Sequence, residues 1–106
     1  MSIKEFKEIL DGSGIPFSYD HWAGSQISEF PYGVYRTEEE EPVCTDGGVA
    51  FSLLNITVSL WTKIKDLSAE RKLEAALSAA DVFFQKSGTS YEYEENAYVT
   101  TYEIQI

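Results

Sequence analysis

Apolar residues along the chain switch between helical and strand spacing, and the switches outline seven elements. Ile3, Phe6 and Leu10 fall on one helical face. Ser2 followed by Glu5 has the spacing of a capping box, and Gly12 and Gly14 stop the helix. In residues 16–22, Phe17, Tyr19 and His21 alternate with Ser18, Asp20 and Trp22, a strand pattern. Pro16 has no N–H for a ladder, so this strand starts there or lies on an edge. Residues 23–29 read as a loop, and 30–36 return to strand composition with Tyr32 and Val34 on one face. Residues 37–48 hold Glu38, Glu39, Glu40, Glu41, Pro42 and Asp46-Gly47-Gly48. Repulsion among adjacent carboxylates, together with Pro and Gly-Gly, predicts a long acidic hairpin tip.

Residues 49–62 form the clearest strand, with Leu54, Ile56, Val58 and Leu60 on one face and Asn55, Thr57, Ser59 and Trp61 on the other. Ser68 is then placed to cap a second helix. Its apolar stripe is Leu73, Ala76, Leu77, Ala80 and Phe84, opposite Glu70, Glu74, Ser78, Asp81 and Gln85. Lys86 falls in its last turn and Gly88 just beyond. Residues 90–95 and 98–106 read as two strands joined at Asn96-Ala97, with Tyr98, Thr100, Tyr102, Ile104 and Ile106 sharing a face. The order α-β-β-β-α-β-β predicts an α+β two-layer sandwich: a mainly antiparallel sheet with both helices on one face. The C-terminal strand either pairs on both sides or lies at a sheet edge and pairs with a neighbour. In the second case Thr101, Glu103 and Gln105 belong to the pairing strand.

At 106 residues, 43% of them hydrophobic and 25% charged, the chain suits a single domain spanning 1–106. Charge changes the picture more. Eighteen acids against eight bases give −10, and between Lys7 and Lys63 the only base is Arg36. Such a surface repels phosphate, which argues against a sequence-independent grip on nucleic acid and against an anionic membrane surface. The longest uncharged run, 47–62, is too short and too polar to span a bilayer. Lys4, Glu5, Lys7 and Glu8 leave no apolar leader core, and the lone Cys44 forms no internal disulfide, as suits a reducing cytosol.

Candidate chemistry is sparse. One histidine, His21, rules out a multi-histidine metal site, and its neighbour Asp20 points to the opposite face of the predicted strand. Gly12-Ser13-Gly14 follows a helix and precedes a strand, the reverse of a phosphate loop. Glu38, Glu39, Glu40 and Glu41 lack the alternating ligand spacing of a calcium loop. Glu92, Glu94 and Glu95 make a second acidic patch around Tyr91 and Tyr93, in a chain too small to enclose a sugar between paired carboxylates. The expected protein is no enzyme, with no cofactor and no metal.

A resemblance adds to this. The chain has a short helix ending at glycine, then Pro16-Phe17-Ser18-Tyr19-Asp20-His21-Trp22 and Phe30-Pro31-Tyr32-Gly33-Val34-Tyr35-Arg36. An acidic segment, a long strand, Leu73-Glu74-Ala75-Ala76-Leu77, Tyr91-Glu92-Tyr93-Glu94 and Tyr102-Glu103-Ile104 follow. The series resembles the small tail-completion proteins of siphophages and prophages of Gram-positive hosts, the tail terminators of the head–tail joining module. The segment Lys63-Ile64-Lys65-Asp66 is less Lys-rich than the matching stretch in that family. The resemblance implies a structural α+β subunit that forms a hexameric ring. That ring caps the tail tube and meets the major tail protein on one side and the head-closure or connector protein on the other. DNA passes through such a ring without being gripped. The implied location is the virion tail, assembled in the host cytoplasm. Glu38, Glu39, Glu40 and Glu41 would then line the passage or dock on a basic neighbour. The competing reading of the charge is an acidic DNA mimic that inhibits a nucleic-acid-binding protein.

Overall fold

Local sequence decides where each element stops, and the computed structural model shows how. It describes the backbone of residues 3–20, 30–45 and 48–106, and the side chains of 3–20, 30–37 and 55–106. Helix α1 spans Ile3–Asp11 and buries Phe6 and Leu10 completely. Ser13 closes it: its hydroxyl donates to the Leu10 carbonyl (2.6 Å) and accepts from the Ile15 N–H (3.2 Å). Gly14 follows at φ +81°, a conformation that favours glycine. Ser2, His21, Trp22 and the expected loop 23–29 lie outside the described residues.

Strand β1 is short, Phe17–Tyr19. Asp20 ends it: its N–H reaches the Tyr35 carbonyl at 2.8 Å, and its φ of +64° then turns the chain out of the ladder. β1 runs parallel to β2, Tyr32–Thr45, with Phe17 opposite Gly33. The Phe17 ring lies where a Cβ on residue 33 would stand, so only glycine fits there.

β2 pairs with β3, Gly48–Thr62, as a long antiparallel hairpin. Of the expected acidic hairpin tip over 37–48, the described residues 37–45 and 48 are therefore strand. Glu40 faces Leu54, Glu41 faces Leu53 and Pro42 faces Ser52 across the ladder, with irregularities between Thr37 and Glu40 and between Val43 and Cys44. Local repulsion disfavours order in the Glu run, but β3 offers an uncharged template of high strand propensity. Pro42 is tolerated because β1 covers β2 only at residues 33–35.

Helix α2 spans Leu67–Ala79. Its cap is Asp66, which accepts from the Ala69 N–H at 3.1 Å, and not the expected Ser68. It also ends earlier than its apolar stripe suggests. The Val82 N–H bonds the Leu77 carbonyl (2.9 Å), the Asp81 N–H bonds that of Ser78 (3.1 Å), and Asp81 sits at φ +56°. This is a Schellman ending, completed by the buried pair Leu77 and Val82. Phe84, Gln85, Lys86 and Gly88 accordingly belong to β4, Phe84–Glu92, and not to the helix or its cap.

β4 forms a hairpin with β5, Ala97–Gln105, through a turn containing Asn96 at φ +50°. The sheet order is β1-β2-β3-β5-β4, antiparallel except for β1 with β2. β5 is an interior strand, so Thr101, Glu103 and Gln105 do not form a sheet edge; β4 takes that place. Tyr35, Ile56, Val58, Leu60, Tyr102 and Ile104 face the helices and pack on Phe6, Leu10, Leu73 and Leu77. The fold is the expected α+β architecture.

β5 pairs with β3 only from Asn55 onward. Beyond it, residues 38–45 and 48–54 continue as a two-stranded arm outside the five-stranded sheet. A seven-residue strand run measures about 20 Å. The molecule is elongated accordingly, 50 × 27 × 24 Å, with a radius of gyration of 14.9 Å. A compact chain of this length has about 13 Å.

Candidate functional site

Three features stand out: the arm, the uncovered sheet face and a charged cluster beneath α2. The arm carries the glutamates at 38, 39, 40 and 41 on β2. Their side chains, and that of Cys44, lie outside the described residues. On the β3 side the sequence from 47 to 62 has no charge and no proline. The two edges of the arm thus differ in kind. The β2 edge holds charge and proline, which discourage strand pairing; the β3 edge holds neither.

The uncovered face presents Tyr32, Asn55, Thr57, Ser59, Trp61, Val99, Thr101, Glu103 and Gln105, none of them fully buried. At one end Phe30 stacks on Tyr32 (5.1 Å between ring centroids) and Tyr32 on Trp61 (6.5 Å). Burial raises the Tyr32 phenol above its ordinary value, and the Glu95 charge raises it further. Lys63 lies 6.0 Å from the Phe30 ring centre. At the other end a half-open depression of about 420 Å³ is lined by Asn55, Thr57, Phe83, Gln85, Glu103 and Gln105. It combines amides, a hydroxyl and one carboxylate with an aromatic ring that is 82% exposed. Thr57 and Glu103 are direct cross-strand neighbours within it, so the set offers hydrogen-bond donors and acceptors at the surface.

The charged cluster was not legible beforehand. Glu70, expected on the polar face of α2, is only 2% exposed. Lys65 lies 3.0 Å from its Oε1 and 2.9 Å from its Oε2, and Lys86 on β4 pairs with Oε1. Oε2 receives the Lys65 charge without a well-directed hydrogen bond. Lys86 also lies 3.7 Å from Glu74, which accepts from the Tyr102 hydroxyl at 3.2 Å. Burial pushes the Glu70 carboxyl up, but the hydrogen bonds and charges of Lys86 and Lys65 together outweigh it and hold it below its usual value. The Glu70 hydrogen bond raises the Lys86 ammonium against the opposing effect of burial. Burial first, then Glu74 and Glu70, push the Tyr102 phenol up. The cluster staples α2 to the β4–β5 hairpin. Lys65 extends it to Thr89 (2.8 Å), which is itself 2.9 Å from Thr100.

Among the described residues no group of three or more His, Cys, Asp or Glu is placed to hold a metal ion. Glu92, Glu94 and Glu95 are exposed around the β4–β5 turn, where Tyr91 meets Tyr93 and Tyr98, each at 5.0 Å. Among the described residues no helix is long and apolar enough to cross a membrane. No protein-family model matches the chain, and no curated protein matches it in sequence.

Proposed function

We propose that the chain is a structural tail-completion subunit of a phage or prophage: a tail terminator that caps the tail tube as a ring, by the resemblance a hexamer, and joins it to the head. The observation that carries this reading is the arm. An isolated two-stranded ribbon is marginal in water, so one that reaches past its own sheet gains from a partner. The uncovered sheet face gives a second surface for neighbours. The major tail protein and the head-closure protein are the proposed partners, and the virion tail the proposed location. With acids at the passage, DNA would slide without sticking. Electron microscopy of purified tails, with and without added protein, tests the reading. Added rings at tail ends support it; tail ends left bare at saturating protein refute it. A major tail protein gene just downstream and head-closure genes upstream are the expected genomic setting.

The DNA-mimic reading gains from one observation. The Glu run lies on extended strand, where residues rise by about 3.4 Å each, and not in a bunched loop. Salt-sensitive competition with DNA for a basic protein is its test.

A further inference from the structure

We infer that the β3 edge of the arm, residues 48–54, adds as a strand to the outer edge of β4 in a second copy of this chain. Among the described residues this stretch of β3 pairs only with β2, and its other edge continues past the end of β5. It displays backbone donors and acceptors over seven residues of the uncharged sequence Gly48-Val49-Ala50-Phe51-Ser52-Leu53-Leu54. Such an edge pairs or aggregates unless it is covered. The inference shares with the tail reading only self-association and needs no tail.

The other free edges decide which strand receives it. β1 is three residues long and follows Pro16. The outer edge of β2 carries the Glu run and Pro42. β4 is outermost on its side, nine residues long and largely exposed, with Lys86 and Glu92 as its only charges, and those cancel. Its ladder irregularity between Lys86 and Gly88 leaves Thr89, Ser90, Tyr91 and Glu92 as a regular run. Pairing two arm edges with each other would instead bring two Glu runs within three strand spacings, about 14 Å, on one sheet. Arm to β4 places a Glu run near a strand of no net charge. This contact is head-to-tail, so it chains copies into a ring or a filament.

Both copies carry −10, so long-range repulsion opposes the contact. Association should therefore tighten as salt rises and the Debye length falls from about 10 Å to about 3 Å. The test is sedimentation of the purified chain up to millimolar concentration at low and high salt, with Leu53→Lys in the arm and Ser90→Lys on β4. Melting curves check that both variants remain folded. Wild type should associate, more at high salt, and each variant alone should stay monomeric. An equimolar mixture should form dimers and nothing larger, because the first variant keeps a working β4 and the second a working arm. Wild type that stays monomeric throughout, Ser90→Lys that still associates alone, or a mixture without dimers would each overturn the inference. Tail-end binding plays no part in this readout, so its failure leaves the tail reading to its own experiment.

Discussion

Removing Lys86 should harm the fold more than removing Glu70. The reason is unequal access to water. Glu70 is 2% exposed, whereas the Lys86 and Lys65 side chains are 34% and 45% exposed. In Glu70→Leu both ammonium groups turn outward and hydrate. What is lost is a pair whose cations were already half solvated, and a buried apolar side chain replaces the carboxylate. The net effect should lie within about 1 kcal/mol. In Lys86→Met the carboxylate has no route to water and keeps only Lys65. Loss of one charge-assisted hydrogen bond to a buried ion is worth about 1.5–3 kcal/mol. For a domain of this size about 2 kcal/mol corresponds to roughly 10 °C in melting temperature.

The pH dependence separates the variants further. The folded Glu70 carboxyl lies below its ordinary 4.5, so its contribution is present above pH 4.5 and is lost as pH falls through the folded value. Without Lys86, burial faces only Lys65, so the carboxyl moves up and protonation in acid relieves the stranded charge. Wild type should lose stability through the Glu70 range, Lys86→Met should lose less or gain, and Glu70→Leu should show no slope from this site. Urea midpoints at pH 7 and pH 4 measure this. Equal damage at pH 7 from both substitutions, or the same acid slope in both, would refute the desolvation argument.

Asp81→Gly should stabilise the chain by roughly 0.5–1 kcal/mol, since it relieves a positive φ of 56° and removes a negative charge from a helix C-terminus; thermal melts check this. Gly33→Ala should destabilise by about 1–3 kcal/mol because its methyl meets the Phe17 ring, and Phe17→Leu should restore part of the loss. Replacing residues 39–54 by an Asn-Gly turn should leave a cooperative melt, because the two strands of that segment pair with each other beyond the end of β5. The shortened chain should also lose self-association in sedimentation.

The order of elements was legible because apolar period changes with each of them; Ile56, Val58 and Leu60 alternate cleanly and are buried as expected. What was hidden is nonlocal or a matter of one dihedral angle. Phe84 falls four residues after Ala80 and prolongs the helical stripe, while the end of α2 depends on Asp81 turning left-handed. Asp66 and Ser68 are both capping residue types two positions apart, and spacing alone does not rank them. Glu70 looked solvent-facing because its second cation arrives from β4, a strand the extended helix reading had absorbed. The Glu run looked like a loop because its partner strand lies outside any local window. The alternation puts Thr101, Glu103 and Gln105 on one face but leaves their strand open to an interior or an edge position, since strand order is not written in any one strand.

Replacing Glu38, Glu39, Glu40 and Glu41 together by Gln tells the two readings of the charge apart. Assembly through β3 uses an edge that contains no acid, so the glutamates act on it only as repulsion between copies. Their removal takes the net charge from −10 to about −6 and should tighten self-association most at low salt, where screening is weakest. The salt dependence should flatten accordingly. A DNA mimic, by contrast, binds through those carboxylates, so the same variant should lose competition with DNA while its association is unchanged. Both outcomes come from one protein measured two ways, by sedimentation across salt and by displacement of labelled DNA from a basic partner. Weaker self-association in the Gln variant would refute the view that the acids only hold copies apart, and would place them inside the contact.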